Sequence, residues 1–259
     1  MGRQKHGRTG MKTELALILT SGLTLSMASA SLAGDGPLPD GFVYLSDVAP
    51  QIAQNMRYAG AFNYTGAPVP GYHAAACIVT ADTAKALIAV DDRLQPYGYG
   101  LVVFDCYRPQ SAVSYLADWS KRTDGPDMSD YFFPGIRRET LVDSGMISRR
   151  SSHVLGNTVD VGLRFVGEKV STPTATPGMR CDLPLPDRWQ DTAVDMGTAY
   201  DCFTPMAHRE ADVGDAARTN RAILVSAMEA EGFSGYIAEW WHYRYTRSTA
   251  DEPYDFPVE

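Results

Sequence analysis

Two short segments constrain the fold more than anything else in the chain. RSSHVLGNTVDVGL (150–163) carries His153 and Asp160, and EWWHYRY (239–245) carries Glu239 and His242. Each pair alone is ordinary. A histidine seven residues before an aspartate is common by chance where a loop enters a strand. A glutamate three residues before a histidine fits an aromatic strand with a polar edge. Together they supply two imidazoles and a carboxylate, the donors of a catalytic zinc site that keeps its fourth place open. A fold that uses them this way must bring two distant segments together. Gly156 lets the backbone turn between His153 and Asp160. A regular strand over 239–245 aims Glu239 and His242 at opposite faces, so a bulge or bend is expected there.

The rest of the chain suggests what carries these segments. TADTAKALIAVDDRLQPYG (80–98) has Ala84, Leu87, Ile88 and Leu94 at helical spacing, with Thr80 or Asp82 to cap and Pro96 and Gly98 to stop it. A short apolar strand follows, Leu101 to Phe104, ended by Arg108-Pro109. SAVSYLADWSKR (111–122) reads as a second helix and DGPDMSDYFFPG (124–135) as a loop. The β-branched residues of 157–166 predict a strand. STPTATPGMRCDLPLPDRWQ (171–190) is dense in Pro and Thr and reads as an inserted loop. ARTNRAILVSAMEAEGF (217–233) is amphipathic with Gly232 at the C′ position, and EWWHYRY reads as a final strand before a polar tail. DVAPQIAQNMRYAGAFNYTG (47–66) has mixed periodicity and is expected to be partly irregular. Helices and strands do not alternate strictly, so an α+β single domain is expected rather than a doubly wound sheet.

The N-terminus reads as a secretory signal peptide over 1–33: a basic MGRQKHGRTGMK, an apolar run from Leu15 to Leu25, and the small residues MASASLA, with cleavage near Ala30 or Ala33. Residues 34–259 then form the exported domain, expected in the periplasm with no stable membrane insertion after cleavage. The formal net charge of -8 argues against nonspecific nucleic-acid binding. The sequence carries no signal for oligomeric state. Cys77, Cys106, Cys181 and Cys202 show no C-x-x-C spacing, and an even count in an exported chain suggests disulfides. Cys181 and Cys202 flank the Pro-rich stretch, so a bridge between them would tie down a loop, and Cys77 with Cys106 would then be the other pair. Four cysteines allow three pairings, and four buried thiols are the bland alternative.

If His153, Asp160 and His242 hold a metal, Glu239 is left over as general base. Arg108 in DCYRP is a candidate cation for the charge that develops on a substrate carbonyl. A surface ion pair is its ordinary alternative. The pattern S-x-H-x-x-G-x-A-x-D, read here from Ser151 to Asp160, followed by E-x-W-H, resembles the zinc D,D-peptidases. RYAGAFNYTG (57–66), DCYRP (105–109), DMGTAYDCF (195–203) and EWWHYRY narrow the likeness to D-alanyl-D-alanine dipeptidases of the vancomycin-resistance type, from about Asp47 to Tyr245.

The resemblance implies a central, mainly antiparallel sheet flanked by helices, as in hedgehog-like D,D-peptidases. It implies one Zn2+ per chain on His153, Asp160 and His242, Glu239 as acid/base, and Arg108 polarising the scissile carbonyl. Asp201 would meet the substrate ammonium, with Ser151 and Tyr58 lining the pocket. The implied substrate is a small D,D-dipeptide from cell-wall metabolism. A D,D-carboxypeptidase acting on longer peptidoglycan peptides, and a noncatalytic zinc-containing wall-binding module, are the competing expectations. Three features depart from the family pattern: Thr158 stands in place of Ala, the insert before Asp201 is long, and Cys106 replaces a small residue. His73 and His208 are expected outside the ligand set, and Trp240 and Trp241 in the core and pocket wall.

Overall fold

A computed structural model of the protein describes residues 1–2, 38–170, 173, 175–189 and 194–259. Apart from Met1 and Gly2, the expected signal peptide lies outside them. The chain enters through β1 (Phe42–Tyr44), a single helical turn α1 (Leu45–Val48) and β2 (Ala53–Gln54). β3 (Ile78–Thr80) pairs antiparallel with β1 and leads into α2 (Ala81–Leu94). Thr80 occupies the N-cap position, but its hydroxyl meets the side chains of Asp82 and Thr83, and the Asp82 carboxylate accepts from the Thr83 amide at 2.7 Å.

β4 (Tyr99–Asp105) and β5 (Thr158–Phe165) form the centre of a five-stranded sheet. With β6 (Phe233–Gly235) and β7 (His242–Tyr245) the order is β2-β4-β5-β7-β6. Only β2–β4 is parallel, so the sheet is mainly antiparallel and the class is α+β, as expected. Apolar residues of α2 and of the long helix after the insert pack with the sheet: Leu87, Val90, Leu101, Val103, Val161, Leu163 and Leu224 are all inaccessible to solvent. Burying each such side chain contributes about 1.5–3 kcal/mol against exposure.

The other half of the molecule contains more loop. α3 (Gln110–Trp119) follows β4, and α4 (Ser129–Phe132) is a short helix within the segment expected to be a loop. Its presence follows from packing: Phe132 is buried, which local composition did not announce. α5 (Asp215–Ala230) ends with Gly232 at φ 91°, where a left-handed residue suits the helix exit. The final strand is shorter than expected. Glu239, Trp240 and Trp241 lie ahead of β7, because the first two amides are drawn away from the sheet, Glu239 N–H to the Tyr236 carbonyl and Trp240 N–H to the Ala207 carbonyl. Two disulfides join Cys77 to Cys106 and Cys181 to Cys202, and no described helix is long and apolar enough to cross a membrane.

Candidate active site

The sheet register assembles the site. Asp105 on β4 is opposite Asp160 on β5, and Asp160 is opposite His242 on β7. These three residues share one rung. Asp105 reaches the rung because the β4–β5 register shifts between Val103 and Asp105. Two residues of β4 therefore answer one of β5, a bulge that re-aims the side chain following it. His153 arrives from the single turn Ser152–Leu155 just before β5. Gly156 closes that turn at φ 70°, and a Cβ there would lie 2.2 Å from Phe42 Cε1. The close approach explains the glycine as much as the dihedral does.

Among the described residues, His153, Asp160 and His242 form a group able to hold a metal ion. His153 Nε2 lies 3.3 Å from His242 Nδ1 and 3.3 Å from Asp160 Oδ1, and His242 Nδ1 lies 3.1 Å from Asp160 Oδ1. Three donors about 2.0–2.1 Å from a tetrahedral zinc are about 3.3–3.4 Å apart, so the triangle has the required size. The tautomer fits too. His153 Nδ1 is 2.6 Å from the Cys106 carbonyl, which can only accept, so the proton sits on Nδ1 and Nε2 presents its lone pair inward.

Asp160 divides its oxygens. Oδ1 faces the imidazoles, while Oδ2 accepts from Tyr200 Oη at 3.0 Å and lies 3.7 Å from the Arg108 guanidinium. Burial alone would raise its pKa, but His153 and the histidine hydrogen bonds overcome that and hold it well below the usual range. His242 shows the converse: burial lowers its pKa, and Asp160 and Glu239 more than restore it, so it is raised. Glu239 Oε2 is 3.7 Å from His242 Nδ1. Desolvation, helped by the negative charge of Asp160, pushes its carboxyl up to about 7.

Arg108 donates through Nε and a terminal nitrogen to Asp105 Oδ2, at 2.9 and 2.8 Å, and its guanidinium lies 5.0 Å from the Tyr58 ring centroid. Tyr72 Oη donates to the other Asp105 oxygen at 2.8 Å. Asp105 is completely buried and therefore holds Arg108 from behind. Asp201 is buried, accepts from Tyr58 Oη at 2.9 Å, and has φ 57°, a left-handed conformation unusual outside glycine. Burial, then the charge of Asp160, raises its pKa well above the ordinary carboxylate value.

All the residues expected from sequence line one cavity of about 640 Å³: Tyr58, Arg108, Ser151, His153, Asp160, Asp201, Glu239 and His242. Trp241 lines it as well, whereas Trp240 is core and donates through its indole nitrogen to Thr198. His73 and His208 lie outside that lining and are exposed, and His73 is 3.6 Å from Glu259. Thr158 buries its extra hydroxyl against Asn157 Oδ1 at 3.3 Å. Sequence reasoning missed Asp105, Tyr72 and Tyr200. The first stands in DCYRP and the last precedes Asp201, so position beside a named motif was their available signal.

Comparison with known proteins follows the same lines. A family model described as D-ala-D-ala dipeptidase, peptidase M15, matches residues 39–171 and 165–259. A D-alanyl-D-alanine dipeptidase of Enterococcus faecalis is 31% identical over 220 residues, 84% of this chain and 95% of that protein. One from Streptomyces coelicolor is 32% identical over 221 residues, covering 84% and 98%. One from Escherichia coli is 27% identical over 202 residues, covering 78% and 82%.

Proposed function

Since the chain belongs to the D-ala-D-ala dipeptidase family of peptidases, we propose that it is a zinc enzyme that hydrolyses the D-Ala-D-Ala dipeptide to two D-alanines. The observation that carries this reading is the triangle of His153, Asp160 and His242 donors, 3.1–3.3 Å on each edge, with a carboxylate beside it that is not needed as a ligand. Zinc held there supplies Lewis acidity to the reacting carbonyl and favours deprotonation of the attacking water.

The remaining work falls to the protein. Glu239 takes a proton from the attacking water and delivers it to the leaving amine, a role suited to a carboxyl whose pKa stands near 7. Arg108, aimed by Asp105, donates toward the carbonyl oxygen as negative charge develops. Asp201 receives the substrate ammonium at the other end of the dipeptide, with Tyr58 holding the carboxylate in place and Ser151 lining the same pocket. Burying a charged ammonium is costly unless a counter-charge meets it, which is the need Asp201 fills.

The N-terminal segment and the two disulfides support export to an oxidising compartment, the periplasm, with residues 1–33 removed as a signal peptide. The test is release of D-Ala from D-Ala-D-Ala by the mature protein, with and without a chelator, beside Glu239→Gln. Chelator-sensitive release, lost in a variant that still binds zinc, is expected. Zinc binding with hydrolysis only of longer wall peptides would make the protein a carboxypeptidase instead.

A further inference from the structure

Each disulfide places one of its cysteines against a different part of the site. Cys106 lies between Asp105 and the Tyr107-Arg108 pair, and its own carbonyl accepts from His153 Nδ1 at 2.6 Å. This stretch leaves the sheet where β4 ends. Beyond that point its backbone is held by Tyr107 N–H to the Ile78 carbonyl, 2.9 Å, and Arg108 N–H to the His153 carbonyl, 3.3 Å. Cys77 is itself anchored: its amide donates to Gln54 Oε1 at 3.0 Å and its carbonyl accepts from Leu45 N–H at 2.9 Å. The Cys77–Cys106 bond thus fastens the carbonyl that orients His153 to a fixed part of the sheet layer.

Cys202 directly follows Asp201, the buried left-handed residue of the opposite wall. No helix or strand contains Asp201. Its neighbours are tied by Ala199 N–H to the Cys181 carbonyl, 2.9 Å, and Phe203 N–H to the Phe132 carbonyl, 2.7 Å. The Cys181–Cys202 bond closes that loop beside the carboxylate.

We propose that the two disulfides are separate positioning devices, Cys77–Cys106 for the metal-binding side of the site and Cys181–Cys202 for the ammonium-binding side. The inference rests on the zinc dipeptidase reading. It assigns the cysteines no contact with substrate or reacting atoms. They act through His153 and Arg108 in one case and through Asp201 in the other. A disulfide that merely stabilises the folded chain would affect both sides alike.

The experiment crosses two variants with two readouts. Cys77→Ala/Cys106→Ala and Cys181→Ala/Cys202→Ala are purified as full mature chains and checked for fold by circular dichroism. Zinc affinity is measured by competition with a chelating dye, and KM and kcat for D-Ala-D-Ala at saturating zinc. Losing the first bond leaves the Cys106 carbonyl present but free to shift from His153 Nδ1, and is expected to weaken zinc by about 10-fold, the lower end of the range for a disturbed outer partner of a ligand histidine, with KM changed less than kcat. Losing the second is expected to leave zinc affinity within about twofold, because Tyr200, which donates to Asp160, is anchored separately by its stack on Phe104, and to raise KM about tenfold, the signature of lost ground-state binding.

Parallel changes in both readouts for both variants would overturn the proposal, as would no change in either. If an alanine pair does not fold, Cys77→Val/Cys106→Ala or Cys181→Ala/Cys202→Val refills the lost volume. Unfolding of those as well would make the bonds global staples and overturn the assignment. Wild-type protein that neither binds zinc nor cleaves D-Ala-D-Ala would instead defeat the underlying reading, and that result is distinct from an intact enzyme with insensitive variants.

Discussion

The sheet side and the loop side of the cavity solve different problems with different residues. On the sheet side, Asp105, Asp160 and His242 stand on one rung, and the core behind them joins the aliphatic residues of β4 and β5 to a few rings, Phe104, Tyr200 and Trp241 among them. Backbone ladders fix strand spacing, so donor atoms can converge to within a few tenths of an ångström. On the loop side, Tyr58, Tyr64, Trp119 and Phe203 form an aromatic cluster, with ring centroids 5.8 Å apart for Tyr58–Tyr64, 5.4 Å for Tyr64–Trp119 and 4.9 Å for Tyr64–Phe203. Large rings fill irregular space, and tyrosine adds a hydroxyl that reaches a polar partner. One side suits a metal, which demands geometry. The other suits a charged end group, which demands a counter-charge in a dry place.

The largest expected effect lies on the sheet side. Asp160→Asn should abolish measurable zinc binding and lower D-Ala release by about 10³-fold or more, because a ligand and the counter-charge to two imidazoles go together. Titration with a chelating dye checks the first and a coupled D-Ala assay the second. Retention of wild-type zinc affinity would detach the rung from metal binding. Tyr200→Phe sharpens the same side with a smaller change: it removes the hydroxyl that Asp160 Oδ2 accepts from, and zinc affinity should fall about 10–100-fold with the fold intact.

Asp201→Asn probes the other side in two directions at once. It should raise KM about tenfold by removing the ammonium's counter-charge, while a substrate lacking the free ammonium should not distinguish the proteins. It should also stabilise the zinc-free protein at neutral pH. The folded-state pKa of Asp201 is raised, so between the ordinary carboxylate value and that raised value the folded chain binds more protons than the unfolded one. Stability is then lost as pH rises through that window, and the neutral amide removes the loss. Each ~1 kcal/mol regained raises Tm by about 2–4 °C, and the gain should vanish below about pH 4, where both states carry the proton. Thermal unfolding of the two metal-free proteins across pH checks this. Asparagine tolerates the left-handed backbone that position 201 requires.

Tyr58→Phe should have the smallest effect. Loss of one hydrogen bond to Asp201, worth about 1 kcal/mol, should raise KM roughly fivefold and leave zinc affinity unchanged. A fall in zinc affinity comparable with that of Tyr200→Phe would erase the division between the two sides.

The same division governs how much could be read from the sequence. Periodicity marks α2 and α5 and the apolar centres of β4 and β5, because regular elements repeat their burial pattern. His153, Asp160, Glu239 and His242 stand out through residue type and order, and the structure gathers them around one cavity. Asp105 does not stand out, because its placement depends on a register shift that leaves no periodic trace. Tyr200 was hidden for a related reason: it acts on Asp160 from a distant loop. α4 was hidden too, since one short turn is decided by the packing of Phe132, not by local composition.

The shared rung also determines where the chain can change length. Residues between Phe165 and Phe233 can be inserted or deleted in loops without shifting the pairing of Asp160 with His242, since that pairing depends on β5 and β7 alone. The Pro-rich insert ahead of Asp201 occupies such a permissive interval. Adding one residue inside β5 between Thr158 and Asp160 has the opposite consequence: with a two-residue side-chain repeat, it would turn the aspartate from the cavity toward the core. Length variation should therefore gather in the connector and stop abruptly at the two strands.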